Sequence, residues 1–318
     1  MNFPFYIARR YLFSKKKHNA INIISGISVC GVALATLALV CTLSVFNGFQ
    51  DMVASFFTAF DPQLKITVRE GKVFDAQDER IRAVCALPEV EVFTETLEEN
   101  AMVQYKDRQT MAVLKGVEDN FEELTEIDSI LYGAGEFLLH DSIVNYGIMG
   151  VELVATLGTG LEFVDPLQVY LPKRNAKVNM ANPGASFKRD YLYSPGVVFV
   201  VNQQLYDGKY ILTSLDFIRQ LLDYTTEVSA IELKLKSGAN VSSVQSKIEK
   251  MLGDDFVVQD RYQQQADVFR IMEIEKLISY LFLTFILMIA CFNVIGSLSM
   301  LILDKKDDVV TLRSLDRK

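Results

Sequence analysis

Charge vanishes from the chain twice. The first uncharged stretch runs 32 residues from Asn19 to Gln50, and the second runs 27 residues from Leu277 to Leu303. An α-helix needs about 20 apolar residues to cross the hydrocarbon core of a bilayer, so the pattern predicts two transmembrane helices. Ahead of the second, Ile271, Ile274, Ile278 and Leu281 recur at helical spacing from Val268 onward, which predicts that this helix begins as a stalk outside the membrane. At 1.5 Å per residue its uncharged part alone reaches about 40 Å, more than the hydrocarbon thickness of about 30 Å. A single rod of that kind would couple whatever lies on the two sides.

Between the spans the periodicity is mixed. Leu64, Ile66 and Val68 alternate with polar residues as a strand does. Asp75 to Ala86 reads as a helix stopped by Pro88, and Ala101 to Lys115 as a hairpin turning near Lys106-Asp107. Further on come a helix around Ser214 to Leu222, a strand at Val228 to Leu235, a helix over Val241 to Leu252 and a strand at Phe256 to Gln259. A stretch with several Gly and Pro residues, Asp165 to Gly196, predicts an exposed loop. The fold class is therefore α+β, a large mixed domain flanked by two transmembrane helices and without a repeat. The expected divisions are 1–18, an amphipathic N-terminal helix; 19–50, the first span; 51–260, the outer domain, with room for two subdomains; 261–303, stalk and second span; and 304–318, a short tail.

Charge sets the orientation. Arg9, Arg10, Lys15, Lys16 and Lys17 precede the first span with no acid among them, Asp51 follows it, and Glu273 and Glu275 precede the second. By the positive-inside rule the N-terminus is cytoplasmic. Two spans return the chain to that side, with Lys305, Lys306, Arg313, Arg317 and Lys318 on the tail. The segment Pro4 to Lys17 mixes Phe5, Tyr6, Ile7, Tyr11, Leu12 and Phe13 with the basic cluster, as suits a helix lying in the bilayer interface. A secretory signal has an apolar region of only about 7–15 residues. Val29 and Val40, ahead of Cys30 and Cys41, are not the small residues that a lipoprotein signal requires. The formal charge of the chain is −8; without the five basic residues of the N-terminal arm, 27 basic residues face 40 acidic ones, leaving −13. That balance speaks against nucleic acid. Of four cysteines only Cys85 lies outside the spans, so no disulfide is expected within the outer domain.

Catalytic chemistry is hard to find. His18 and His140 are the two histidines, neither with a second ligand at metal spacing, and no G-x-x-x-x-G-K-[ST] loop is present. The chain is therefore expected to be no enzyme, to hold no metal or cofactor, and not to hydrolyse ATP itself. Gly158-Thr-Gly160 reads as a turn. In the first span Gly31, Ala35, Ala38 and Thr42 share a face, and in the second Ala290, Asn293 and Ser297 do. Small residues let helices approach, and an intramembrane asparagine turns to protein, so Gly31, Ala35, Ala38, Asn293 and Ser297 are candidate helix-packing positions. After the second span, Asp307 and Asp308 suit the positive end of a short helix dipole and Arg313 the opposite end, with Val309, Leu312 and Leu315 on one apolar face. Such a helix docks in a groove of another protein or lies on the membrane surface; composition does not separate the two.

This tail, Asp304-Lys-Lys-Asp-Asp-Val-Val-Thr-Leu-Arg-Ser-Leu315, resembles the coupling segment of the MacB-type and FtsX-like permease superfamily. Further matches point to the lipoprotein-releasing permease family of the LolC/LolE type. They are Tyr6-Ile-Ala-Arg-Arg-Tyr-Leu12, Ile23-Ile-Ser-Gly-Ile-Ser-Val-Cys-Gly-Val-Ala33 and Leu43-Ser-Val-Phe-Asn-Gly-Phe49. In the outer domain Leu114-Lys-Gly-Val117, Gly147-Ile-Met-Gly150 and Tyr206-Asp-Gly-Lys-Tyr210 are similar too. Asp316 stands where the family has glycine, and the family continues through two more spans, so the chain is expected to be a truncated form.

The resemblance implies a non-catalytic permease subunit in the bacterial inner membrane, with a MacB-type periplasmic core and both termini of this chain cytoplasmic. It implies as partners an ABC ATPase, a second permease subunit, identical or related, lipoprotein substrates and a periplasmic lipoprotein carrier. On this reading residues 304–318 form a cytoplasmic coupling helix in which Asp308, Val309, Leu312, Arg313 and Leu315 engage the ATPase. Lys173, Arg174, Lys177, Lys188 and Arg189 lie in a stretch without acids inside an acidic domain, and are candidates for docking the carrier, since rim charges steer encounter. A MacB-like efflux pump or an FtsX-like regulator of cell-wall hydrolases would share the coupling segment. A two-span sensor receptor would share the topology but needs a signalling domain after its second span.

Overall fold

The computed structural model describes residue 6, residues 19–58, 60–173 and 186–304, and residues 306 and 310. It divides into two compact units, Met1–Asp51 with Asp267–Lys318, and Met52–Ala266. The interfacial helix expected at Pro4 to Lys17 and the tail helix after Asp304 fall almost wholly outside the described residues.

In chain order, α1 (Asn19–Thr58) leads into β1 (Leu64–Val68), β2 (Phe74–Asp75), α2 (Glu79–Cys85), β3 (Val90–Tyr105) and β4 (Arg108–Val117). Then follow α3 (Phe121–Leu124), β5 (Leu131–Gly133), β6 (Ile148–Met149), α4 (Val151–Leu157), β7 (Leu167–Pro172) and β8 (Phe187–Leu192). Next are β9 (Val197–Phe199), α5 (Gln204–Asp207), β10 (Tyr210–Ser214), α6 (Leu215–Leu222), β11 (Glu227–Val228) and β12 (Ala230–Leu235). The chain closes through α7 (Val241–Leu252), β13 (Phe256–Asp260), α8 (Arg261–Gln264) and α9 (Ala266–Asp304).

The unit made of α1 and α9 is apolar all round. Gly26–Gln50 and Ala266–Met300 are long and apolar enough to cross a membrane, and large side chains such as Ile27, Leu34, Phe282 and Phe292 point outward, as helices in lipid require. Where the two helices meet, the buried residues are small: Ser28 and Ala35 on α1, Ala290 and Ser297 on α9. Each pair is spaced seven apart, the period of a packed helical seam. The Ser28 hydroxyl donates to the Asn293 carbonyl at 3.4 Å, and Lys276 Nζ to Asn47 Oδ1 at 2.6 Å.

The other unit, the head, is built on β3, which is 16 residues long. Its first half, Val90–Thr96, pairs with β12, and its second half, Leu97–Tyr105, pairs with β4 and at Met102–Gln104 with β7. The sheet runs β13-β1-β12-β3-β4-β10-β6, with the β7–β8 hairpin on the flank of β3. One apolar core joins Leu64, Ile66, Ile231 and Leu233 to Ile81, Val84, Ile248 and Leu252 from α2 and α7. The other joins Leu97, Val103, Leu114, Val169 and Ile211 to Leu153, Leu157, Ile218 and Leu221 from α4 and α6. Local chemistry sets the helix limits. Asn240 accepts from the Ser243 amide at 3.0 Å and Gly253 ends α7; Ser214 accepts from the Phe217 amide at 3.3 Å to start α6.

Three expectations change. The helix expected over Asp75 to Ala86 begins at Glu79, because Phe74 and Asp75 pair with Val228 and Glu227 instead. The stretch Asp165 to Gly196, expected to contain an exposed loop, also contains the β7–β8 hairpin, in register from Leu167↔Leu192 to Pro172↔Phe187; residues 174–185 lie outside the described ones. The strand expected from Ala101 begins at Val90. Its first half buries Thr94 and Thr96 completely, so apolar alternation could not reveal it.

Those threonines belong to a polar face running across the sheet. Lys65 on β1 lies opposite Glu232 on β12, and Glu98 on β3 opposite Lys115 on β4. The shortest contacts are diagonal: Lys115 Nζ to Glu232 Oε1 at 2.8 Å, and Lys65 Nζ to Glu98 Oε1 at 2.9 Å. Lys115 and Glu232 are 2% and 0% exposed. The Lys115 ammonium sits 5.0 Å from the Phe60 ring centroid and 5.1 Å from that of Phe121, a setting that favours a cation. Removing one partner of a buried pair strands the other charge, at a cost of about 3–5 kcal/mol, whereas apolar replacement of both is often neutral. Lys115→Met in the full chain is expected to lower unfolding stability by about that amount, and Lys115→Met with Glu232→Met to recover most of it. Denaturant unfolding followed by circular dichroism checks this; equal losses in single and double variants would refute it.

Candidate functional site

Within the head, the short segment that follows α1 and the short segment that precedes α9 are bonded to each other. The Asp61 amide donates to the Phe57 carbonyl at 2.7 Å, closing the end of α1, and Pro62 cannot continue the helix. On the return, Asp260 ends β13 and caps α8: its carboxylate accepts from the Gln263 amide, and the Gln263 side chain accepts from the Asp260 amide. This cap sets the course of residues 261–265. Gln265 then donates through Nε2 to Asp61 Oδ2 at 2.8 Å and also to the Tyr206 hydroxyl oxygen. Tyr206 in turn donates to Asp61 Oδ1 at 2.6 Å. The three side chains form a closed ring in which both carboxylate oxygens accept, and all three are buried. Two further bonds tie the segments through the main chain: Arg261 Nε to the Asp61 carbonyl at 3.1 Å, and Gln264 Nε2 to the Pro62 carbonyl at 3.3 Å.

Aromatic rings surround this polar ring. The Phe60 centroid is 4.4 Å from Tyr206, 5.4 Å from Phe199 and 5.6 Å from Tyr210, and Phe57 lies edge-on to Tyr206 at 6.1 Å. Phe60 also faces Lys115, so the ring and the ionic face of the sheet adjoin. Tyr210 completes the link, donating to Glu98 Oε2 at 3.2 Å.

The electrostatics follow from burial. Desolvation pushes the Asp61 carboxyl above its ordinary value, against the lowering effects of the Tyr206 hydrogen bond, the Lys115 charge, the Gln265 hydrogen bond and the Lys65 charge. Tyr206 and Tyr210 are raised, first by burial and then by the neighbouring carboxylates. Burial would raise Glu98 as well, but the ammonium groups of Lys65 and Lys115 outweigh it and hold the carboxyl at about 2. Among the described residues no group of three or more His, Cys, Asp or Glu side chains is arranged to hold a metal ion. One oxygen of Glu232, Oε2, has no hydrogen-bond partner among the described residues.

The head motifs noted in the sequence converge beside the ring. Leu114 on β4 pairs with Ile211 on β10, and Ile211 with Met149 on β6, so three segments far apart in the chain share one row. Gly150 follows β6, where a Cβ would collide with the Asp207 carbonyl; at Gly116 a Cβ would lie 2.9 Å from Ile218 Cδ1. Gly150 thus permits the close approach of the Tyr206–Tyr210 segment, and Gly116 that of the start of α6. Sequence reasoning singled out this segment as a motif but missed Asp61 and Gln265. The legible signal was weak: an acid 11 residues after the first uncharged run and a glutamine 12 residues before the second.

The predicted site residues fall in three groups. Asp308, Val309, Leu312, Arg313 and Leu315 lie outside the described residues. Ala35 and Ser297 are in the α1–α9 seam; Gly31 and Ala38 are partly covered, and the Asn293 side chain is exposed, only its carbonyl meeting Ser28. Of the basic stretch, Lys188 pairs with Asp223 at 2.5 Å, and the Arg189 guanidinium lies 5.5 Å from the Tyr191 ring centroid, so both are engaged at the hairpin stem. Lys173 also has partners in the structure and its amide donates to the Ser186 carbonyl at 2.9 Å. Arg174 and Lys177 lie outside the described residues.

Comparison with known proteins places these features in context. Residues 25–251 match the model of the MacB-like periplasmic core domain. The chain is 27% identical over 319 residues to the lipoprotein-releasing system transmembrane protein LolC of Neisseria meningitidis, covering 98% of this chain and 73% of that one. It is 24% identical to LolC of Xylella fastidiosa, covering 97% and 72%. It is 22% identical to the lipoprotein-releasing system transmembrane protein LolE of Haemophilus influenzae, covering 99% and 74%.

The Glu98 carboxyl sets a pH dependence. Its value in the fold, about 2, lies below its ordinary 4.5, so the stabilisation it provides is complete above pH 4.5 and is lost as pH falls from there to about 2. Thermal midpoints measured from pH 5 to pH 2 are expected to fall more steeply for the wild type than for Glu98→Gln. Parallel slopes would remove Glu98 from the account.

Proposed function

This chain belongs to the MacB-like periplasmic core domain family, within it to the LolC/LolE type, and on that premise we propose that it is the transmembrane permease subunit of an ABC transporter that releases lipoproteins. In this reading a partner ATPase burns ATP, and this chain turns the resulting motion into work on a lipoprotein anchored in the outer leaflet of the inner membrane. The head would lie in the periplasm and both termini of this chain in the cytoplasm, with a second permease subunit, identical or related, completing the transporter.

The observation that carries the reading is the end-to-end similarity to LolC and LolE, which runs over both apolar helices as well as the head. The chain's own chemistry agrees with a lever. It has no phosphate-binding loop of the G-x-x-x-x-G-K-[ST] kind, and the buried Asp61, Tyr206, Gln265, Lys115 and Glu232 bond elements of the head to one another.

The power stroke would enter through the tail, where Asp308, Val309, Leu312, Arg313 and Leu315 engage the ATPase. Placing a carboxylate in an apolar groove is costly. Leu312→Asp is therefore expected to abolish copurification of the ATPase while leaving the head folded. Retention of the ATPase at wild-type yield would sink the coupling assignment.

The same reading gives the β7–β8 hairpin a partner, a periplasmic lipoprotein carrier drawn to its basic residues. Lys188 and Arg189 then brace the stem, and Lys173, Arg174 and Lys177 meet the carrier. Reversing these three to glutamate is expected to weaken carrier binding at least tenfold at low salt, with the difference shrinking as salt screens it. Unchanged affinity in a titration at low ionic strength would dispose of the idea.

A further inference from the structure

We propose that Asp61, Tyr206 and Gln265 are positioning residues forming a latch that makes two segments of the head, the one that follows α1 and the one that precedes α9, move as one; the proposal rests on the lever reading above. The two segments, residues 60–62 after α1 and 261–265 before α9, both belong to the head and stand near its two ends in the sequence. A helix displacement can be delivered to a domain only if the connecting residues do not absorb it as changes in φ and ψ, which is what hinge segments do. Here that freedom is removed. Gln265 and Asp61, 204 residues apart, bond directly, and Tyr206 bonds to both. Arg261 and Gln264 add bonds from the exit segment to the carbonyls of Asp61 and Pro62.

The latch is also anchored in the head. Tyr206 comes from α5, whose next residue but one, Gly208, leads to β10, and Asp207 beside it is buried, accepting from the Val201 amide at 2.8 Å. Phe60 packs on Tyr206, Tyr210 and Phe199 together. A pull on either segment therefore reaches β10 and, through it, the paired strands β4 and β6. The ring is buried, so its hydrogen bonds act in a low dielectric and each group left unpaired would cost stability. The ring lies wholly within the head, its Asp61 three residues beyond the end of α1 and its Gln265 one residue before the start of α9.

The test uses the full chain assembled with its ATPase in proteoliposomes, reading lipoprotein released per ATP hydrolysed. Gln265→Leu and Tyr206→Phe are expected to keep ATPase association and hydrolysis within twofold of wild type while release per ATP falls about tenfold for the first and severalfold for the second. Asp61→Asn with Gln265→Glu exchanges the acceptor and donor roles and is expected to restore at least half of the wild-type ratio. A role in folding alone would lower thermal stability and leave the ratio intact, so that result, or a double exchange no better than Gln265→Leu, would overturn the latch. Tyr206→Phe, which removes one oxygen and leaves the ring packing, carries the test should Gln265→Leu fail to fold. Failure of the wild type to bind any ATPase would instead overturn the lever reading, and the latch with it.

Discussion

The first and last segments of the head are fastened to each other by a buried ring of three side chains. Asp61, Tyr206 and Gln265 each satisfy the others, and the two chain segments they belong to are further bonded through main-chain carbonyls. The strands that adjoin the ring share that closure. β1 starts three residues after Asp61 and β13 ends five residues before Gln265, and the two strands are antiparallel neighbours, paired from Leu64↔Asp260 to Val68↔Phe256. The sheet edge is thus built from the same two segments that the ring fastens.

Burying such a ring beside two ionic pairs is expensive, because desolvation opposes every charge in it. The elevated carboxyl of Asp61 reflects that cost, and the depressed one of Glu98 reflects how cations repay it locally. What polar groups provide that an apolar core would not is direction. A leucine cluster tolerates sliding, whereas a carboxylate between a hydroxyl and an amide has one arrangement that satisfies all three. For a protein proposed to transmit displacement, a defined geometry at the point of attachment matters more than a few kcal/mol of stability.

The motifs that suggested the family gain a physical meaning in the fold. Leu114-Lys-Gly-Val117, Gly147-Ile-Met-Gly150 and Tyr206-Asp-Gly-Lys-Tyr210 form adjoining parts of one layer, with Lys115 against Phe60 and Gly150 against Asp207. They pack beside the ring formed by Asp61, Tyr206 and Gln265.

Much was legible in the sequence because it is local. Uncharged runs mark the spans, and α6, α7, β12 and β13 stand where apolar spacing and capping residues put them, since both depend on neighbours a few residues away. The first half of β3 was not legible, because its buried face carries Thr94 and Thr96 instead of apolar residues, and Asp75 was read as the start of a helix because its strand partner lies some 150 residues on. The latch was beyond reach for the same reason. Asp61 is separated from Tyr206 by 145 residues and from Gln265 by 204. Nothing in the composition of any one segment specifies such a meeting: it is decided by strand register and by which face of the sheet each side chain takes, and only the tertiary structure sets those.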